Sequence, residues 1–388
     1  MTGAPGRRTR RFDLIVLGAG PAGAAAAMKA ATAGLTVALV DKALFPRDKL
    51  CGGGLTGRAI TQYRRCFGGD LPPVPLERRS DFVFHAHGQD LGRSTDAPPL
   101  HLGMRFQLDA DLVRQALARG AKDFTGHSGA LDPDAPALDL PDQRLEAPLI
   151  IAADGVNSPT ARALFGAAYD PARIGFALEV ELPGADPDRP LRIDFGAADW
   201  GYGWQFPKPQ GTTIGVGGVH ARNSDMKAAL RRYLAVLDVP DRLNVKGQFL
   251  PFGDFRAVPG KGRVLLAGDA AGLVDPITGE GIAHALDSGT CAAEAAIAAL
   301  AAGRPDDALE RYQQAIRPIH RGLRQARLLR NIMFRERLRP AFIRSFRNSR
   351  TLRGEYLRLM AGETEYGALM RKMATRLPGF AWRAISGS

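Results

Sequence analysis

At 388 residues the chain exceeds one typical core, so two interlocked domains, or two with an appendage, are expected. A composition of 45% hydrophobic and 24% charged residues excludes disordered and fibrous classes and fits a globular enzyme. The formal charge of +12 is concentrated in the tail: residues 311–388 carry 18 Lys or Arg against 4 Asp or Glu, whereas residues 1–310 carry 34 against 36. A basic tail suits an acidic partner such as a membrane surface or a phosphate-bearing ligand, or else solvated arginine faces. Nucleic acid is not expected, because there is no basic stripe elsewhere and no nucleic-acid motif. Cys51, Cys66 and Cys291 are too few for a disulfide framework, and a reducing cytoplasm fits them best.

Arg7, Arg8, Arg10 and Arg11 precede an apolar run, as in an export signal, but Gly18-Ala19-Gly20-Pro21 breaks that run. No stretch approaches about 18 uninterrupted apolar residues, so no spanning helix is expected. Residues 12–17 read as a buried parallel strand, 21–33 as an alanine-rich helix stopped by Gly34, and 36–40 as a second strand ending at Asp41. This unit carries Gly18-x-Gly20-x-x-Gly23. Gly18 allows the tight turn, Gly20 lets backbone amides approach a pyrophosphate, and Gly23 permits close helix–strand packing. Asp41 stands where a carboxylate accepts from adenosine ribose hydroxyls.

Further on, residues 108–122 have helical apolar spacing. Residues 149–152 and 264–267 read as buried strands leading into Asp154-Gly155 and Gly268-Asp269, and residues 174–252 alternate as in a mostly antiparallel inserted sheet. The chain turns helical after Gly272 and reads as arginine-rich helix from about Leu309 onward. No zinc spacing, Ser–His–Asp signature or Walker loop occurs, and no metal site is expected.

The three strand-end motifs together resemble the para-hydroxybenzoate hydroxylase-type flavoproteins. Three segments narrow the likeness to the geranylgeranyl reductase family. They are Lys49-Leu-Cys51-Gly-Gly-Gly-Leu55; Gly201-Tyr202-Gly-Trp204-Gln-Phe206-Pro207-Lys208 with Gly215-Val-Gly-Gly218; and Gly268-Asp269 through Asp275-Pro276 to Gly279-Glu280-Gly281-Ile282. Leu50 replaces a proline common before the cysteine in that family, and Asp199 one common in its archaeal members. The resemblance implies an α/β (α+β) fold. A Rossmann-type FAD-binding domain (1–72, 101–172, 259–308) would carry an inserted, mostly antiparallel substrate domain (73–100, 173–258) and a basic helical C-terminal region (309–388).

It also implies FAD as cofactor, held by Gly18, Gly20, Pro21, Ala22 and Gly23, by Asp41 and Lys42, and by Cys51, Gly52 and Arg105. Asp154, Gly155, Gly268, Asp269, Gly279, Gly281 and Ile282 would complete the cofactor set. Electrons would enter from NAD(P)H or a reduced carrier protein and leave to an isoprenoid or prenyl-lipid double bond. Protonation at one alkene carbon and hydride delivery to the other develops positive charge, which aromatic faces stabilise. Tyr202, Trp204 and Phe206 alternate along the expected strand and so share a face. They read either as that wall or as a core stripe, and Cys51 either as a catalytic thiol near the reacting centre or as a small buried hydrophobe. A flavin monooxygenase acting on an aromatic or lipid substrate, and a non-enzymatic electron carrier, are the alternatives. The arginine-flanked apolar residues Leu328, Leu329, Ile332 and Met333, with Phe342, Ile343 and Phe346, suit either peripheral membrane contact or docking onto the flavin domain.

Overall fold

The structure, a computed structural model, describes residues 8–132 and 135–376. Arg7 and the basic residues beyond 376 lie outside them.

Fully buried runs make the central sheet. Its order is Gly260–Lys261, Val264–Leu266, Leu149–Ala152, Leu14–Leu17, Val37–Asp41 and Lys122–Thr125, all parallel except the first. Leu14, Ile15 and Val16 are fully buried, as both-face coverage of a parallel strand requires. Two alanine-rich helices, Pro21–Thr32 and Ile282–Ala301, pack on one another so closely that a Cβ on Gly289 would lie 2.0 Å from the Ala22 carbonyl oxygen.

The inserted sheet has seven strands. In order they are Lys246–Leu250, Gly175–Pro183, Gly211–Val219, Tyr202–Lys208, Leu191–Phe195, Phe82–Ala86 and Gln89–Ser94, antiparallel except between Leu191–Phe195 and Phe82–Ala86. The Met226–Val236 helix covers one face through Leu230, Tyr233 and Leu234, packed on Leu178, Val180, Ile214 and Val216. A four-stranded sheet that begins with Arg8–Arg11, and a three-stranded one that includes Gly54–Leu55, complete the β-structure; both arise from strands too short to show a period.

Two expectations need correction. The helix placed at 108–122 runs Arg105–Ala118, and Lys122 instead opens an edge strand. Its first turn is hidden from an apolar pattern because Arg105 is buried by pairing with Asp109, while Gly120 (φ +116) ends the helical run. The tail is not continuous helix. Ala308–Ala315, Arg317–Phe334, Arg339–Asn348, Arg350–Ala361 and Tyr366–Arg376 are separated by Pro340 near one start, by Ser349 as an N-cap and by Gly362 in the left-handed region.

These helices dock. Phe346 meets Phe84 edge-on at 5.3 Å and Tyr356 meets Phe195 at 5.7 Å, so the tail covers the face of the seven-stranded sheet opposite the Met226–Val236 helix. Some of the tail's charge is structural as well. Buried Arg353 donates through Nη1 to the carbonyls of Phe346, Arg347 and Leu91, which ends one helix and ties it to a strand. Tyr366 donates to both carboxylate oxygens of buried Asp275 at 2.8 Å, and Asp275 Oδ1 also accepts from the amides of Ile277 and Thr278, as a turn residue does. Tyr366→Phe removes the tail's contribution to that carboxylate. It is expected to cost about 2 kcal/mol, seen as a lower midpoint in urea unfolding and faster proteolysis after Gly362.

Candidate cofactor and active site

Leu14–Leu17, Val37–Asp41, Leu149–Ala152 and Val264–Leu266 run parallel, so their carboxyl ends meet at one edge of the sheet. Leu17, Asp41, Ala153 and Ala267 there open a cleft of about 540 Å³ that continues beneath the inserted sheet. Every residue expected to bind the cofactor or to act in catalysis lines it except Gly23. A Cβ on Gly23 would lie 1.7 Å from the Gly18 carbonyl oxygen and 3.3 Å from Val16, so this glycine packs the helix rather than facing the cleft. Gly18 (φ +96) has no room either: its Cβ would fall 2.3 Å from the Ala153 oxygen.

The carboxylates divide by what they already hold. Asp41 accepts from the Ala19 and Ala43 amides at 2.7 and 2.8 Å, which shapes the glycine turn, and it also borders the cleft. Asp154 is turned inward. It accepts from Ser158 Oγ at 2.5 Å and the Thr160 amide at 3.1 Å, and burial pushes its pKa above the ordinary carboxylate value. Its hydrogen bonds therefore go to the start of the Pro159–Phe165 helix. Asp269 faces the cleft at the third strand end, with Oδ1 3.9 Å from where a Cβ on Gly281 would stand. A strand-end carboxylate and the N-terminus of the Ile282–Ala301 helix thus flank one gap. Gly281 has no side chain to cap that helix, and Glu280 accepts from the Ala283 amide while Thr56 donates to its other oxygen. Lys49 sits nearby, its ammonium pushed below the usual lysine range by burial against the pull of Asp269.

Arg105 is 8% exposed and donates both Nε and Nη2 to Asp109 at 2.7 Å. Burial disfavours the guanidinium, but Asp109 outweighs it and Arg105 stays charged above its ordinary range. Arg47 reaches the same carboxylate at 3.0 Å. Its Nη1 is buried with no hydrogen-bond partner among the described residues, and its Nη2 lies 3.6 Å from where a side chain on Gly20 would begin. A guanidinium with one free buried N–H group beside the glycine turn, and a helix N-terminus at the other end, fit the pyrophosphate and ring ends of an FAD.

Under the inserted sheet, Tyr202, Trp204 and Phe206 all turn toward the cleft, joined by Leu50, Ala177 and Leu250. Glycines set the indole's position: Cβ atoms on Gly215 and Gly217 would lie 2.3 and 3.4 Å from the Trp204 ring. Tyr202 donates to the Thr278 carbonyl at 3.0 Å, and burial, with Asp275, Cys51 and Glu280 close by, keeps its phenol protonated. The loop at 51–53 lies against this wall, because a Cβ on Gly52 would touch the Phe206 ring at 2.8 Å. Cys51 is a half-buried free thiol whose sulfur accepts from the Gly53 amide at 3.4 Å.

Arg47, Thr56 and Met360, which line the cleft, and Asp109 and Glu179, which bind Arg47, Arg105 and the Cys51 amide, escaped the sequence reading as site residues. The i,i+4 spacing of Arg105 and Asp109 was a usable signal; the others come from loops, a distant strand and the docked tail, which no spacing links.

The model of a family described as FAD dependent oxidoreductase matches residues 13–77. Menaquinone reductase of Mycobacterium tuberculosis is 32% identical over 322 residues, covering 73% of this chain and 76% of that protein. Geranylgeranyl diphosphate reductase of Rhodobacter capsulatus is 31% identical over 316 residues, covering 76% and 78%. Among solved structures, a geranylgeranyl bacteriochlorophyll reductase-like protein of Thermoplasma acidophilum gives a TM-score of 0.74 at 20% identity, covering 96% of this chain and 98% of that one. A flavin-dependent brominase gives 0.69 at 19%, covering 91% and 94%. These two likenesses speak for the fold alone. With strand-end loops, helix N-terminus and aromatic wall gathered on one cleft, and relatives above 30% identity along most of its length, the chain belongs to the geranylgeranyl reductase family of FAD-dependent oxidoreductases.

Proposed function

We propose that this enzyme reduces carbon–carbon double bonds of an isoprenoid chain. The observation that carries this reading is the wall of Tyr202, Trp204 and Phe206, continued by Leu50, Ala177 and Leu250, that roofs the same cleft as Asp269 and Gly281. Bound FAD, once reduced, supplies a hydride. The protein's own groups supply the rest. Apolar walls exclude water and align an extended prenyl chain; ring faces stabilise the positive charge that develops on a tertiary carbon, about 0.5–2 kcal/mol each when desolvated. Cys51 lines the same space and holds a proton on sulfur at the substrate's side. The amides at the start of the Ile282–Ala301 helix meet the negative charge that reduction leaves on the ring system.

In this reading Gly18, Gly20, Pro21, Ala22, Lys42 and Arg47 hold the dinucleotide end, and Asp269, Gly279, Gly281 and Ile282 hold the ribityl and ring end. NAD(P)H or a reduced carrier protein supplies the electrons. Asp269→Ala and Gly281→Val are each expected to weaken FAD binding by about tenfold or more, measured by quenching of flavin fluorescence during titration. Unchanged affinity in both variants removes this assignment.

The reaction is tested by reducing the bound flavin without oxygen and adding geranylgeranyl compounds. Reoxidation should accelerate, and mass spectrometry should show products gaining a pair of hydrogens for each bond reduced. Substrate-stimulated oxygen uptake with an oxygenated product would instead make the enzyme a monooxygenase.

Among the described residues no helix is long and apolar enough to cross a membrane. Most of the tail's apolar residues are spent on docking, but Leu328 and Ile332, one turn apart, remain 52% and 42% exposed on the Arg317–Phe334 helix beside exposed Arg321, Arg324 and Arg335. We read this patch as a peripheral contact with an anionic membrane surface, where a prenyl lipid would be met. Wild-type protein should float with phosphatidylglycerol vesicles, and the Leu328→Glu/Ile332→Glu double variant should remain at the bottom of the gradient. Equal flotation of the two removes the patch from the reading.

A further inference from the structure

Beneath the loop at 51–53 lies a cluster of charged side chains that neither cofactor binding nor the aromatic wall uses. In the seven-stranded sheet Glu179, Gly215 and Trp204 stand in one cross-strand row, and Glu181, Thr213 and Phe206 in the next. The face that carries the wall therefore also carries two carboxylates and, at the end of the Tyr202–Lys208 strand, Lys208. Glu179 is 1% exposed and Lys208 4%, burial that charged side chains reach only when held by partners.

Glu179 Oε1 accepts from the Cys51 amide at 3.0 Å and so ties that sheet to the Cys51 backbone. Glu179 Oε2 is buried and has no partner among them. Lys208 closes the other side: a Cβ on Gly53 would meet its Cε at 3.2 Å, and its Nζ lies 3.7 Å from Glu181 Oε1. Glu181 is further occupied by Thr213 Oγ1 at 2.8 Å. Lys246, on the adjacent edge strand, faces the group too and is paired with Asp48.

We propose that Glu179 is the positioning residue of Cys51: its carboxyl holds the backbone of the 51–53 loop against the aromatic wall, and its ionisation, balanced between Lys208 and Glu181, sets how the thiol is presented to the cleft. This deepens the reductase reading and rests on it for the thiol's use, but the hold on the loop exists without substrate. Burial, the largest influence, raises Glu179 to about 7; Lys208 pulls it down and Glu181 pushes it up. As a carboxylate it makes a charge-assisted bond to the Cys51 amide; as an acid it offers only a weaker, uncharged one. The loop therefore passes from loosely to firmly held as pH rises through that value.

The test is the rate at which iodoacetamide alkylates Cys51 in FAD-loaded protein without substrate, followed by peptide mass spectrometry from pH 5 to 9 (an assay range chosen to span about two units either side of neutrality). Cys66 and Cys291 are buried and serve as internal controls. Wild type should show, besides the thiol's own titration, an inflection near the Glu179 value, and Glu179→Gln should abolish it. Glu181→Gln, at a partly exposed site, should move the inflection down, and Lys208→Met should move it up, each by on the order of one pH unit. If Glu179→Gln does not fold, the opposite shifts of the other two variants decide. Superposable profiles for all folded variants overturn the proposal. Because no prenyl substrate enters the assay, a wrong substrate assignment leaves these profiles unchanged, while loss of the inflection effect leaves prenyl reduction standing.

Discussion

Backbone meets backbone at Gly18, Gly23 and Gly289, and the site depends on that approach. A side chain at any of the three would fall within 2.3 Å of a carbonyl oxygen. With hydrogen there instead, the glycine turn tucks against Ala153, the Pro21–Thr32 helix sits down on its strand, and the Ile282–Ala301 helix closes on Ala22. The two helix starts and the strand ends then converge on one cleft. Two helix N-termini bordering one cleft suit a molecule that is anionic at one end and collects charge at the other.

The inserted sheet works through one face. Tyr202, Trp204 and Phe206 lie over the cleft, Phe195 and Phe84 lie under the tail helices, and Glu179 with Lys208 lies under the Cys51 loop. Because successive side chains point to opposite faces, moving any one of these strands by a single residue would turn the group it carries to the wrong side. The glycines at 215 and 217 add a second constraint, since only an empty place on the central strand lets the indole spread across it.

The tail changes meaning once it is seen folded. Arg353 caps a helix from inside the protein, and Arg330 is buried over Trp200 and Phe252, its guanidinium pushed down to about 10 by burial and by Arg327 and Arg222. Tyr366 grips Asp275 in the loop that ends at Gly279–Ile282, and Met360 reaches the cleft itself. The C-terminal helices thus form part of the site's wall as well as a basic surface.

The glycine turn, the strand-end acids and the alternating aromatics were legible because each depends on local geometry: tight turns need glycine, buried parallel strands need apolar runs, and period two puts Tyr202, Trp204 and Phe206 on one side. The first turn of the Arg105–Ala118 helix, the inward turn of Asp154 and the breaks in the tail were not, because a buried ion pair, a side-chain cap and a docked face leave no period in the chain. Arg47 meets Asp109 across 62 residues and Glu179 meets Cys51 across 128, and only the folded chain decides such pairs. What the amino acids determined by themselves is the backbone's menu of turns, strands and faces. Which charges share a carboxylate, and which thiol rests on which acid, was settled by packing, since burial makes a charge seek whatever partner the tertiary structure places within reach.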